Sequence, residues 1–213
     1  MPMSAVTSTF DTNVFGAIRV AKVVAPHMIT QKSGLIVNIS SIASGVYVIS
    51  SDCDRALSAK RYRSPTPWSA PYNASKAALN AITDSLDMEL RPFNVNVMLL
   101  IAGLVTSNIA DNHAAHIVRP SADSPYAPFT DKIVGRLYTS QEECVATAAF
   151  ARTVVKQALR ERPPSYLVLG GNTVPFRILQ WLPRKVVLGL SWTVFSDKVG
   201  LLRWIKKLGS MFD

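Results

Sequence analysis

Two periodicities divide most of the chain. Residues 11–31 place apolar side chains at Val14, Ile18, Ala21, Val24 and Met28, the spacing of one helix face, with Thr9 or Asp11 as its cap. Pro26 falls inside that run and is expected to kink or shorten it, since proline has no backbone N–H to give. Ser33-Gly34 ends the helix and leads into residues 35–41, LIVNISS, a short apolar run that reads as a buried parallel strand. The helical period returns at Ala77, Ala78, Leu79, Ile82, Leu86 and Leu90 and runs out at Arg91-Pro92, before a second buried strand at residues 95–101. Residues 110–139, with clustered Pro, Ser and Asp, read as a variable loop and lid. Residues 141–160 read as a further helix, 165–169 as a final strand and Gly170-Gly171 as a turn. Strands alternating with helices indicate an α/β domain.

This pattern places chemically useful groups at two points. The first strand delivers Ser40 and Ser41 to its C-terminal end, where open parallel sheets bind ligands. At the start of the second helix, Tyr72 and Lys76 of YNASK stand at i and i+4, one turn apart on one face. A phenol is a poor acid at neutral pH, and a neighbouring ammonium is expected to draw its pKa down toward the working range. Taken alone, such a pair is more often a surface lysine beside a half-buried tyrosine. The hydroxyl-bearing strand end upstream changes that balance.

Taken together, NVFG at 13–16, IVNISS at 36–41, YNASK at 72–76 and the strand ending in AGLVT at 102–106 resemble, in order, the C-terminal two-thirds of the short-chain dehydrogenases/reductases. The resemblance covers residues 8–110, with weaker similarity to the end. It implies a Rossmann-like, doubly wound parallel sheet of which this chain holds the C-terminal portion. It also implies an NADP(H)-dependent exchange between a ketone and a secondary alcohol, and a homo-oligomer when complete. By the same resemblance Tyr72 is the proton donor, and Lys76 lowers its pKa and holds the nicotinamide ribose. Ser41, rather than Ser40, polarises the carbonyl, and the Asn13 backbone carbonyl holds a water linked to Lys76. Gly103 and Thr106 match the cofactor-binding turn, Thr106 at the position that meets the nicotinamide carboxamide. A helix cap is the competing reading of Thr106. Within the family, FDTNVFGAIRV, TPWSAPYNASKAAL and the basic, Trp-containing tail look most like fungal NADPH-dependent 1-acyldihydroxyacetone-phosphate reductases. A fungal natural-product reductase and a non-catalytic remnant are the alternatives.

Three departures qualify the resemblance. Residues 1–10 read like the middle of a domain, and no GxxxGxG occurs, so the first strands and the pyrophosphate-binding glycine turn are missing. Ala102 stands where the family has proline. Ser41 and Tyr72 are 31 positions apart, much further than in the family, and residues 47–64 account for the surplus as a translated intron or a lid insertion.

Composition adds bounds. A chain of 213 residues, 48% of them apolar, has the size of one domain with a sizeable core. Cys53 and Cys144 have no metal-ligand spacing, and His113 and His116 without a third ligand suggest exposed loop histidines, so no metal is expected. Domain organisation reads as 1–171 for the partial Rossmann-like domain and 172–213 for a tail. The net charge of +9 comes with no nucleic-acid-binding motif, and seven basic against two acidic residues in the tail contribute +5 of it. Tryptophans and cations around apolar segments suit either a membrane interface or packing over the enzyme's own substrate pocket. With no signal peptide or spanning segment evident, a cytoplasmic chain is expected, with peripheral contact to endoplasmic reticulum or lipid droplets.

Overall fold

The computed structural model describes residues 2–44, 66–108, 119–139, 144–171, 173 and 182–196. The proposed insertion at 47–64, His113, His116 and most of the tail lie outside these residues. Helix α1 (Met3–Phe10) runs through a π turn (Asp11–Phe15) into α2 (Gly16–Gln31). Strand β1 (Leu35–Ser41) ends in a 3-10 turn (Ile42–Ser44). After α3 (Ala70–Leu90) and a 3-10 turn (Arg91–Phe93) comes β2 (Asn96–Ala102). A 3-10 turn (Ala127–Phe129) opens α4 (Thr130–Thr139), followed by α5 (Thr147–Ala158), β3 (Tyr166–Leu169) and α6 (Arg184–Ser196).

The strands form one parallel sheet in the order β1-β2-β3, with Leu35 opposite Asn96, Ser41 opposite Ala102, and Ala102 opposite Leu169. This is the α/β, Rossmann-like arrangement expected from the alternation of strands and helices. Central β2 is buried on both faces, and Met98, Leu100 and Ile101 are fully enclosed, which accounts for its unbroken apolar sequence. Ala21, Ile36, Leu90, Val95 and Val97 pack together, with Val24, Ala25, Met28 and Ile29 of α2 around them. Further along β2, Leu99 and Ile101 meet Ile42, Tyr166 and Val168. Among the described residues β1 pairs on one side only, and Ile39 is 48% exposed. With the first strands of the domain missing, β1 is expected to be a sheet edge, and among the described residues it is one.

Two expectations change. Pro26 does not shorten α2, which continues to Gln31 and stops only where Lys32 takes a left-handed conformation. The apolar face of α2 packed on the core outweighs one missing hydrogen bond. Part of the 110–139 segment is helical: Thr130–Thr139 forms α4, which packs against α6. Tertiary packing there overrides a composition that favours loop.

Leu100→Ala in fully enclosed β2 should lower stability by about 2–5 kcal/mol in urea unfolding, through lost burial and the cavity left behind. A loss below about 1 kcal/mol would mean that β2 is not the centre of the core.

Candidate active site

The site begins at the C-terminal end of β1. Strand alternation turns Ser40 inward, where it is 2% exposed and its hydroxyl donates to the Lys76 carbonyl at 3.3 Å. Ser41 faces the other way. Its Oγ accepts from the Ala43 N–H at 3.2 Å, and its carbonyl accepts from the Ser44 hydroxyl at 2.6 Å. Ser44 in turn accepts from Asn80 Nδ2 at 3.0 Å, so the turn beyond the strand is fastened to α3.

Helix α3 opens with proline in its first turn, where the missing N–H costs nothing, and the Ser69 carbonyl accepts from the Asn73 N–H at 2.9 Å. Tyr72 therefore sits at the mouth of the helix, and its phenol is hydrogen-bonded to the Ser41 side chain despite the 31 positions between them. Burial holds the phenol above its ordinary pKa, and the Ser41 hydrogen bond, which favours the ionised form, offsets part of that rise. Lys76 donates from Nζ to the Ile39 carbonyl at 2.9 Å, and desolvation lowers its pKa. The ammonium is thus anchored to the strand backbone, and burial is the larger influence on Tyr72.

Asn13 lies in the π turn, a distortion frequent at functional sites. Its Nδ2 donates to Ser75 Oγ at 3.0 Å, and the Ser75 hydroxyl donates to the Tyr72 carbonyl at 2.8 Å. Ser75 is fully buried and ties Asn13 to the turn that carries Tyr72. Sequence reasoning missed Ser75, although its place three residues after Tyr72 in a helix, where a serine hydroxyl reaches back to a carbonyl, was a usable signal.

Asn13, Ser41 and Tyr72 are thus linked directly or through Ser75, and Lys76 stands one turn beyond Tyr72 on α3. Gly103 follows Ala102, the neighbour of Ser41 across the sheet. Its N–H donates to the Leu169 carbonyl at 2.8 Å, and a Cβ there would come within 2.3 Å of the Gly171 carbonyl oxygen. Close approach of two backbones is sufficient reason for this glycine, whatever it does for a ligand. Thr106 is exposed, its N–H donating to the Val145 carbonyl at 3.0 Å while its own carbonyl accepts from the Thr147 hydroxyl. No described hydrogen bond links it to Tyr72 or Ser41.

Aromatic residues gather before α3. Trp68, at φ 59°, lies 6.0 Å between ring centroids from Phe129 and 5.7 Å from Trp192 of α6, and Phe129 and Trp192 are also 5.7 Å apart. The tail helix therefore packs on the segment leading to Tyr72. Among the described residues no helix is long and apolar enough to cross a membrane, and no group of three metal-ligating side chains occurs.

A hydroxyl and a phenol paired at the end of a parallel strand, with a lysine one turn on, define a class. The short chain dehydrogenase family model matches residues 1–52 and 57–117, and the chain belongs to that family. It is 33% identical over 177 residues to the short-chain dehydrogenase virD of Hypocrea virens, covering 83% of this chain and 54% of that protein. It is 32% identical over 109 residues to a very-long-chain 3-oxoacyl-CoA reductase of Coccidioides immitis, covering 51% of this chain and 26% of the relative. A short-chain dehydrogenase structure from Streptomyces avermitilis superposes with a TM-score of 0.60 at 22% identity, covering 94% of this chain and 63% of that one. This last likeness bears on the fold alone. The chain spans about half the length of the curated relatives it matches.

Ser41→Ala should move the Tyr72 phenol further up, because the substitution removes a hydrogen bond that favours its ionised form. Ultraviolet difference titration, with Tyr72→Phe as the blank, reads this directly. A downward shift or none would show that the pair is not hydrogen-bonded.

Proposed function

We propose that this chain carries the proton-transfer side of an NADP(H)-dependent reductase that converts a ketone to a secondary alcohol. The Ser41–Tyr72 hydrogen bond at the strand end, with Lys76 one turn further along α3, is the observation that supports this reading. A bound nicotinamide would supply the hydride. Ser41 donates a hydrogen bond to the ketone oxygen and Tyr72 delivers the proton to it, so that the carbonyl gains one hydrogen at each atom. A phenol held above its ordinary pKa is protonated at neutral pH, which is the state a reduction needs. Asn13 and Ser75 fix the turn that presents Tyr72.

The residues present fit one end of the dinucleotide. An ammonium has three N–H donors, and the Lys76 bond to Ile39 uses one, leaving donors for ribose hydroxyls. The exposed Thr106 hydroxyl suits a carboxamide. No glycine-rich turn between a strand and a helix occurs in these 213 residues to meet the pyrophosphate. By themselves they are expected to bind NADPH weakly and to be catalytically silent, and the activity belongs to a protein that supplies that turn. The preferred substrate is a lipid-like ketone such as 1-acyldihydroxyacetone phosphate. Similarity to a 3-oxoacyl-CoA reductase supports a long-chain ketone, and the natural-product reductase is the second reading.

With NADPH and a long-chain ketone in the active protein, Tyr72→Phe should slow reduction by ~10² or more while NADPH fluorescence titration shows unchanged binding. Turnover close to wild type would remove Tyr72 from the role of acid. Micromolar NADPH binding by the 213-residue chain alone would overturn the need for the glycine turn.

A further inference from the structure

Among the described residues, the mechanism leaves a half-buried cation unused. Arg136 lies on α4, and its Nε is buried without a hydrogen-bond partner. Desolvation holds the guanidinium below its ordinary pKa, and among the described residues no acidic group is seen to act on it. The ion pairs among the described residues, Arg19–Asp11 and Arg91–Asp87, lie on other elements. An always-charged guanidinium taken partly out of water without a counter-charge is costly, and an anion beside it would relieve that cost.

The position of Arg136 suggests what such an anion is attached to. Phe129, Ile133 and Arg136 follow one another at i, i+4 and i+7 along the 3-10 turn and α4, so they share a face. At a helical rise, Arg136 stands about 10 Å along the axis from Phe129. Phe129 packs with Trp68, four residues before Tyr72, and with Trp192 from the tail. One face thus offers a desolvated cation at one end and three aromatic rings at the other, beside the segment that leads to the reacting phenol.

We propose that Arg136 and the Trp68–Phe129–Trp192 cluster form a binding site for an amphiphilic oxyanion, a phosphate or carboxylate headgroup on a long apolar chain. The guanidinium fork matches the oxygens of either headgroup, and the rings cover the chain. The inference depends on the proposed reduction only in calling this ligand the substrate. Packing of the arginine stem alone is the competing role, and it predicts no preference between headgroups.

The full 213-residue chain can be titrated, by tryptophan fluorescence and calorimetry without NADPH, with dodecyl phosphate, dodecanoate, dodecanol and inorganic phosphate below their aggregation limits. Binding is read without turnover, so an inactive protein still reports on the site. At least one anionic amphiphile should bind about tenfold or more tighter than dodecanol, and the tighter of the two identifies the headgroup. Arg136→Gln should abolish that preference and leave dodecanol binding in place, while Arg136→Lys keeps part of it. Trp192→Ala should weaken both kinds of amphiphile. Arg152→Gln, which removes an exposed cation from α5, should change nothing. Equal affinity of wild-type protein for dodecanol and both anions overturns the proposal and needs no variant. So does an Arg136→Gln protein that retains the preference, or inorganic phosphate binding as tightly as dodecyl phosphate.

Discussion

The site depends on how α3 is fastened along β1. Asn38 Nδ2 donates to the Thr83 hydroxyl at 3.0 Å, the Ser40 hydroxyl to the Lys76 carbonyl, and Lys76 Nζ to the Ile39 carbonyl. As strand positions rise from 38 to 41, helix partners fall from 83 to 72, as required of a helix running back along its strand. Each bond contributes only about 0.5–1.5 kcal/mol net, but a buried partner left unmatched costs about 1–3 kcal/mol. Any other register of helix on strand would strand several such groups at once, because Ser40, Ser44, Asn80 and Thr83 are all buried. Apolar packing holds the two elements together, and polar pairing selects the one placement in which Ser41 meets Tyr72.

That placement explains the electrostatics. Tyr72 is half-buried where the strand end, the turn after it and the mouth of the helix converge, and desolvation raises its pKa. The same convergence takes Lys76 partly out of water and gives it a backbone carbonyl for a partner. On the far side of the sheet, Gly103 against Gly170 and Gly171 lets the ends of β2 and β3 approach closely, with Gly170 at φ 119°. The end of β2, beside the β1 terminus, is therefore itself held by backbone contacts with the end of β3.

Much of this was legible in the sequence, and the reasons differ by residue. Two apolar runs ending in hydroxyls or glycine, and a tyrosine opening an amphipathic helix, specify strands, helix and the residues at their ends through periodicity alone. The pairing of Ser41 with Tyr72 was expected from the family resemblance, not from spacing, which argued against it. Asn38 and Thr83 were not legible as fasteners, since a polar residue in an apolar stretch gives no sign of the partner it will find 45 positions away, nor was the bond from Ser75 to Asn13, 62 positions away. The bond from Lys76 to the strand was not legible, because i, i+4 spacing places a side chain on a face and says nothing of a carbonyl on the strand. Helix α4 was read as loop because its stability comes from packing against α6, not from its own sequence.

A double-mutant cycle across Asn38 and Thr83 tests the fastening most directly, with Asn38→Ala, Thr83→Ala and the pair compared by urea unfolding. The account predicts that the two changes are not additive, with a coupling of about 0.5–1.5 kcal/mol, because either one alone already removes the bond. Strictly additive losses would contradict it and would leave apolar packing alone to place Tyr72 beside Ser41.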